Sequence, residues 1–97
     1  MSEVLAQEKI NTLLTIFSNG KFEEALASSI KLIKKYPDES ILFNIQGACY
    51  AGLENFKDAI ESYKMAIALR PDYAKAHYNL AGSFHEIGDL NASLVSY

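Results

Sequence analysis

The sequence has few of the residues that build covalent or metal-bound frameworks. Cys49 is the one cysteine in 97 residues, which excludes an internal disulfide and any metal site that needs several thiolates. It stands beside Ala48 in an apolar stretch, so we expect a buried thiol that behaves as a small hydrophobic side chain. His77 and His85 are eight residues apart, about two helical turns, which is too far along one helix for both to bind one metal ion. We therefore expect neither a metal nor a cofactor.

An excess of one charge is also missing. The formal net charge is −3 at pH 7, and both signs are spread along the chain. Lys31, Lys34 and Lys35 form a small cluster, but they fall where a helix would end, and Glu23 and Glu24 fall where the same helix would begin. That arrangement complements the helix dipole and needs no further explanation. We predict no nucleic-acid partner.

Long hydrophobic runs are absent too. No apolar run approaches the ~20 residues that a membrane-spanning helix needs. The opening residues, Met-Ser-Glu-Val-Leu-Ala-Gln-Glu-Lys, lack the basic start and apolar core of a secretory signal. We predict no membrane partner and a reducing, cytoplasmic location.

Patterns that carry catalysis are equally scarce. Ser28, Ser29 and Ser93 have no histidine near them in sequence that could act as a base, and no glycine-rich phosphate loop is present. His85 and Glu86 form a single pair of polar neighbours, typical of a solvated surface. We expect no catalytic residues and no enzymatic activity. An open alternative is a substrate-recruiting or structural module of a larger enzyme whose catalytic domain lies beyond residue 97.

What the sequence does contain is an internal repeat with a period of 34 residues. Shifting the stretch Ser40–Tyr73 back by that period superimposes residues of the same type. Pro71-Asp72 falls on Pro37-Asp38, and Phe56, Ala59 and Ile60 fall on Phe22, Ala25 and Leu26. Shifting it forward places Tyr50 on Phe84, Phe56 on Leu90 and Ile60 on Leu94. A shared period of this length predicts an array of helical repeats.

Apolar spacing and breaker residues predict six helices. Their expected bounds are about residues 4–18, 22–36, 39–53, 56–69 and 73–87, with a sixth helix starting near Leu90. Gly20 and Gly88 supply turns, and Pro37 and Pro71 end the helices before them. The turn after the third helix has no glycine, so Glu54 or Asn55 must accept its geometry.

Polar residues at the helix starts suggest caps. Asp38 or Ser40 is expected to cap the third helix, and Asp72 the fifth.

The chain stops at Tyr97, about eight residues into the sixth helix. We expect one domain over residues 1–97, with repeats of about 6–39, 40–73 and 74–97, the last of them truncated. Leu80, Phe84, Leu94 and Tyr97 would then be half covered, because repeat arrays need a polar terminal helix over their last apolar face. We predict that this end can form a homo-oligomer, and end-to-end polymerisation is a further possibility.

The second repeat resembles the tetratricopeptide repeat family. The resemblance is carried by a large residue at Phe43, small residues at Gly47 and Ala59, aromatic residues at Tyr50 and Tyr63, a third small residue at Ala66 and the terminator Pro71. Gln46 departs from the pattern where a leucine is usual, and in the first repeat Leu13 stands where a small residue is expected. The resemblance implies an all-α, helix-turn-helix repeat solenoid, a right-handed superhelix of about 2.5 repeats. It also implies a concave side, formed by the first helix of each repeat, that binds a peptide.

On that basis a peptide groove is expected on the concave side. Its predicted residues are Ile10, Asn11, Leu14, Phe17, Ile41, Asn44, Ile45, Lys75, Tyr78, Asn79 and His85, with Ala48 on the same face. The apolar members predict a protein-interaction scaffold that binds an apolar or amphipathic segment, helical or extended. Changing Ile45 to aspartate should then abolish binding with little loss of helicity. The alternative is that the irregular first repeat packs differently and buries these apolar residues as core, in which case that change should collapse the fold.

Two subgroups of the family suggest more specific ligands. Co-chaperones grip a C-terminal carboxylate with Lys, Asn, Asn, Lys and Arg, and the corresponding positions here are Ile10, Leu14, Ile45, Lys75 and Asn79. Only Lys75 fits, so we predict that a chaperone C-terminal carboxylate is not the ligand.

Asn11 and Asn79 occupy one repeat position, which resembles the asparagine ladder of O-linked N-acetylglucosamine transferases. The ladder is broken at Ile45, with Asn44 one residue away. Asparagine before Leu80 is also common in ordinary repeats, so both interpretations stay open.

Overall fold

The computed structural model describes residues 2–88, and every regular element in them is a helix. The elements are α1 (Ser2–Ser18), α2 (Phe22–Lys35), α3 (Ser40–Gly52), α4 (Phe56–Leu69) and α5 (Ala74–Glu86). These bounds agree with the predicted ones to within two residues, and the predicted all-α class is confirmed. The sixth predicted helix, with Leu94 and Tyr97, lies outside the described residues.

The turns explain where the helices end. Gly20 and Gly88 adopt positive φ angles of 76° and 79° after α1 and α5. Glu54 takes the same left-handed conformation after α3, with φ 63°, although this costs a non-glycine residue about 1 kcal/mol. Because Glu54 makes the turn, the next residue can begin the following helix. The Asn55 side chain caps α4 by accepting a hydrogen bond from the Asp58 N–H.

The predicted caps of α3 and α5 are wrong. Their N-cap residues are Glu39 and Tyr73, and neither helix start has a side-chain cap hydrogen bond. The helices begin one residue later than the aspartates require, so Asp38 and Asp72 precede the N-cap position. Asp72 instead faces the exposed Arg70, with 3.7 Å between Nε and Oδ1.

The helices pack around two apolar clusters. The first core cluster joins α1, α2 and α3 and consists of Ile10, Leu13, Ala25, Leu42, Ile45 and Cys49. The second core cluster joins α4 and α5 and consists of Ala59, Ile60, Tyr63 and Leu80, with Phe84 packed against it. Leu80 is therefore not part of the half-covered surface that the sequence predicted, whereas Phe84 is half-buried. Leu80 is only 8% exposed.

In the irregular first repeat, the large and the small residue of the two paired helices are exchanged relative to the second repeat. In the second repeat the small Gly47 lies against the ring of Tyr63, which is 2% exposed. The positions 34 residues earlier hold Leu13 and Ser29, which are 1% and 0% exposed. At these positions the first repeat thus has a large residue on its first helix and a small one on its second, the reverse of the arrangement in the second repeat. Both arrangements fill the space between the helices.

Cys49 is fully buried, as the sequence predicted. Burial raises the pKa of its thiol to about 11. Burial, and to a lesser extent Cys49, raises the pKa of Tyr63 to about 12.

Alkaline pH is expected to weaken the fold through these two groups. Their usual pKa values are 9.0 and 10.0, so the folded chain holds both protons to higher pH than the unfolded chain does. The resulting stabilisation is complete below about pH 9 and is lost as the pH rises through 11 to 12. The free energy of unfolding, measured with urea and circular dichroism, should be lower at pH 11 than at pH 8 by about 3 kcal/mol. Cys49→Ala should reduce that difference, and an unchanged pH dependence in this variant would contradict the role of the thiol.

Candidate peptide-binding cleft

An open cleft of about 450 Å³ runs across the first helix of each helix pair. The helix α3 lies in the middle and contacts both α1 and α5. We call this site the concave cleft, and it is lined by Leu14, Phe17, Asn44, Ile45, Ala48, Lys75, Tyr78 and Asn79. All eight belong to the face on which the sequence predicted a groove.

The apolar half of the concave cleft is built by α1 and α3. Leu14 is 37% exposed and therefore accessible to a ligand. The Phe17 ring is held in place by Phe22, with 5.4 Å between ring centroids and 56° between ring planes. Ile45 and Ala48 form the floor. A preformed apolar wall of this kind loses little side-chain entropy when a ligand docks.

Ile10 and Ile45 are not the exposed groove residues that the sequence predicted. Both belong to the first core cluster and are only 4% and 5% exposed. Ile45 still lines the floor of the concave cleft, whereas Ile10 is not among the lining residues. For these two residues the open alternative of core packing is the correct one.

For Ile10 the physical reason lies in the neighbouring repeat. Ile10, Asn44 and Tyr78 occupy one repeat position, yet their exposures are 4%, 8% and 74%. The first two belong to helices that have another first helix beside them on the C-terminal side. Tyr78 belongs to α5, and no further first helix follows within residues 2–88.

Three further predicted residues lie beside the concave cleft without lining it. Asn11 is exposed and accepts a hydrogen bond from Gln7 Nε2 at 3.0 Å. Ile41 is half-buried and packs against the first core cluster. His85 is exposed in the last turn of α5.

A pair of amides crosses the middle of the concave cleft. Asn79 Nδ2 donates to Asn44 Oδ1 at 3.2 Å and ties α5 to α3. Of the two asparagines in the predicted ladder, Asn79 therefore pairs with Asn44, whereas Asn11 pairs with Gln7 on its own helix. Each amide keeps a further group, Asn79 Oδ1 as acceptor and Asn44 Nδ2 as donor, for hydrogen bonds beyond the pair.

The polar end of the concave cleft is formed by α5. Lys75 is exposed and is the one cation among the lining residues. Tyr78 presents an exposed ring one turn later. Together these groups can hold three parts of a peptide. The amide pair suits its main chain, the apolar wall and the aromatic ring suit one apolar side chain, and the cation suits one anionic group.

Two other kinds of site are not found within the described part of the chain. Among residues 2–88, no three or more His, Cys, Asp and Glu side chains come together as a metal site would require. Over the same residues, no helix has the length and apolar character needed to cross a membrane.

Short helix pairs that stack, and whose first helices share a common cleft, define a helical-repeat solenoid. A sequence profile described as TPR repeat matches residues 49–88. The chain belongs to the tetratricopeptide repeat family.

Curated relatives cover most of this chain. The Hsp70-Hsp90 organizing protein of Triticum aestivum is 28% identical over 84% of the chain, which spans 14% of that protein. The peroxisomal targeting signal receptor of Candida glabrata is 31% identical over 77% of the chain, which spans 13% of that protein. The chain thus spans about one seventh of the length of these relatives.

Solved structures share the fold. The TPR2AB domain of yeast Sti1, in a complex described as pHSP90, superimposes with a TM-score of 0.90 at 21% identity, over 94% of this chain and 35% of that one. The first TPR of Spaghetti (RPAP3), bound to the HSP90 peptide SRMEEVD, gives a TM-score of 0.90 at 23% identity, over 95% and 73%. A MamA mutant superimposes with a TM-score of 0.85 at 26% identity, over 94% of this chain and 66% of that one.

Proposed function

We propose that this chain is a non-catalytic protein-interaction module that binds a peptide segment of a partner in the concave cleft. The observation that carries the proposal is the composition of that cleft. Its apolar wall, amide pair and exposed aromatic ring lie on one open surface of about 450 Å³. An HSP90 peptide bound to the first TPR of RPAP3 supports a peptide as the kind of ligand. A cytoplasmic location stays a prediction from the sequence.

The chemistry of the lining residues narrows the ligand. An apolar side chain fits against Leu14, Phe17 and the floor at Ile45, and an acidic group fits Lys75 across the amide pair. We therefore propose an amphipathic segment with an acidic residue close to an aliphatic one. The amides recognise main chain without regard to side chains, so the apolar and acidic residues set the specificity.

A free C-terminal carboxylate is the competing ligand. The SRMEEVD peptide of the RPAP3 complex favours such a ligand. The concave cleft has a single cation, Lys75, to compensate its charge, and this disfavours it. Titrating this chain with SRMEEVD as the free acid and as the C-terminal amide separates the two. Tighter binding of the free acid in the concave cleft would overturn our exclusion of a carboxylate ligand.

The proposed function is tested with a phage-displayed library of twelve-residue peptides. Selected peptides should combine an aliphatic and an acidic residue, and Tyr78→Ala should weaken them about tenfold, the loss of one aromatic anchor. Tyr78 is 74% exposed, so this change should leave the fold intact. Met65→Ala removes an apolar side chain that is 48% exposed and lies outside the concave cleft, and it should leave binding unchanged. Failure to select any peptide, or equal binding to both variants, would refute the proposal.

A further inference from the structure

A second cleft, of about 430 Å³, lies between α1 and α2. We call it the outer cleft, and it is lined by Glu8, Lys9, Thr12, Leu13, Ile16, Ser28, Lys31 and Leu32. No residue of α3, α4 or α5 contributes to it, and it shares no lining residue with the concave cleft. It is therefore a separate surface at the N-terminal end of the stack.

Comparison with the second repeat shows what this surface is not built for. The residues 34 positions after Glu8 and Lys9 are Leu42 and Phe43, and Leu42 is fully buried in the first core cluster, against α1 and α2. The residue 34 positions after Lys31 is Met65. At Glu8 the first repeat thus carries a charge where the second repeat buries the apolar side chain of Leu42 between helices. Another helix pair stacked here would bury these charges without partners, at high cost.

The outer cleft nevertheless keeps an apolar floor. Leu13, Ile16 and Leu32 line it, and Ile16 and Leu32 are only half-buried. A surface that served solubility alone would not need an apolar concavity below its charges. The floor offers a place for an aliphatic side chain.

The rim of the outer cleft is predominantly cationic. Lys9 and Lys31 line it against one carboxylate, Glu8. Lys35 is a close neighbour of Lys9, and its side chain and like charge lower the pKa of Lys9. The chain as a whole carries a net charge of −3, so this rim has the opposite sign to the rest of the molecule. An anion placed between the lysines would relieve their repulsion.

From this charge complementarity we infer that the outer cleft is a second docking surface, which takes an acidic amphipathic segment of a partner protein. Carboxylates of that segment pair with Lys9, Lys31 and Lys35, and an aliphatic residue packs on the floor. The inference does not depend on the concave cleft, because the two sites have no lining residue in common. One chain can therefore hold two segments, one on each surface.

The test uses the 97-residue chain and an acetylated, amidated decapeptide of sequence Glu-Leu-Glu-Glu-Leu-Leu-Glu-Glu-Leu-Glu. The peptide and the chain are both acidic, so unspecific attraction is disfavoured. Binding is followed by NMR of labelled methyl groups. We expect shifts at Leu13, Ile16 and Leu32, and binding that weakens at least fivefold between about 50 and 500 mM NaCl, as screening of partly exposed pairs requires.

Charge reversal supplies the decisive comparison. Lys9→Glu with Lys31→Glu should weaken binding at least tenfold. Lys57→Glu with Lys64→Glu makes the same change of net charge on α4, outside both clefts, and should weaken it less than twofold. Circular dichroism establishes that both double variants keep the helices. Absence of binding, equal losses in the two double variants, or shifts at Leu14 and Ile45 in place of Leu13 and Leu32 would each overturn the inference. The last of these outcomes would leave the concave cleft as a peptide site.

Discussion

Replacing Ile45 with aspartate is expected to unfold most of the chain. Ile45 is 5% exposed and belongs to the first core cluster. Losing a buried isoleucine costs about 2–5 kcal/mol, and an unpaired carboxylate in the same place adds several more. The free energy of unfolding of a small domain is only about 5–15 kcal/mol in total. Helicity at 222 nm should therefore fall to a small part of its native value, and a urea midpoint equal to that of the unchanged chain would refute this placement of Ile45.

The matched variant is Leu14→Asp in the same cleft. Leu14 is 37% exposed, so its carboxylate can remain hydrated and the fold should lose less than about 1 kcal/mol. Binding of the selected peptides should nevertheless fall at least tenfold, because the apolar wall of the concave cleft is broken. Had the groove been as exposed at residue 45 as the sequence suggested, both variants would fold and both would lose binding. Comparing the two variants thus distinguishes a residue that stabilises the fold from one that contacts the ligand.

The helices themselves were readable from the sequence. Pro37, Pro71 and the glycine turns end helices whose apolar spacing is regular, and the 34-residue period predicts two helices in each repeat. These signals are local, so they need no knowledge of what packs where. The face that carries the concave cleft followed from the resemblance, because the first helices of such repeats share one side.

Burial at individual positions was not readable in the same way. Ile10 and Tyr78 share a repeat position but differ in exposure from 4% to 74%, because cover comes from the next helix and not from the residue itself. The caps failed for a related reason, since a shift of one residue in the start of a helix moves Asp72 out of reach of the first N–H groups. The outer cleft could have been found by asking where apolar residues of one repeat become charged in another.

Gly47 and Tyr63 give the second large effect. A Cβ atom at residue 47 would lie 2.5 Å from Tyr63 Cε1 and 2.6 Å from Cδ1. The ring is 2% exposed and has little room to move aside. Gly47→Leu should therefore force α3 and α4 apart and cost about 3 kcal/mol or more.

Another glycine of the chain serves as the control. Gly82 also lies within a helix, but no atom stands within 4 Å of a Cβ added there. Gly82→Ala should stabilise the chain by about 0.5–1 kcal/mol through its better helix propensity. If the free energy of unfolding falls on substitution at Gly47 but rises at Gly82, the loss at Gly47 comes from the clash with the Tyr63 ring and not from the loss of a glycine as such.

The first repeat suggests a second substitution that should restore the stability lost in Gly47→Leu. It holds Leu13 and Ser29 where the second repeat holds Gly47 and Tyr63, and both are almost completely buried. Tyr63→Ser alone should leave a cavity and cost about 3–5 kcal/mol. Gly47→Leu combined with Tyr63→Ser transfers the pair of the first repeat into the second, so the leucine fills the space that the ring leaves.

The double variant should consequently be more stable than the sum of the two single changes predicts, by about 2–3 kcal/mol in a double-mutant cycle measured with urea. Additive losses would mean that the two side chains do not share one space between α3 and α4. A favourable coupling of this size would show that the first repeat is not an irregular version of the second. It would be the same helix pair with the large and small residues exchanged, so that a leucine on α1 can stand where a small residue is usual without opening the core.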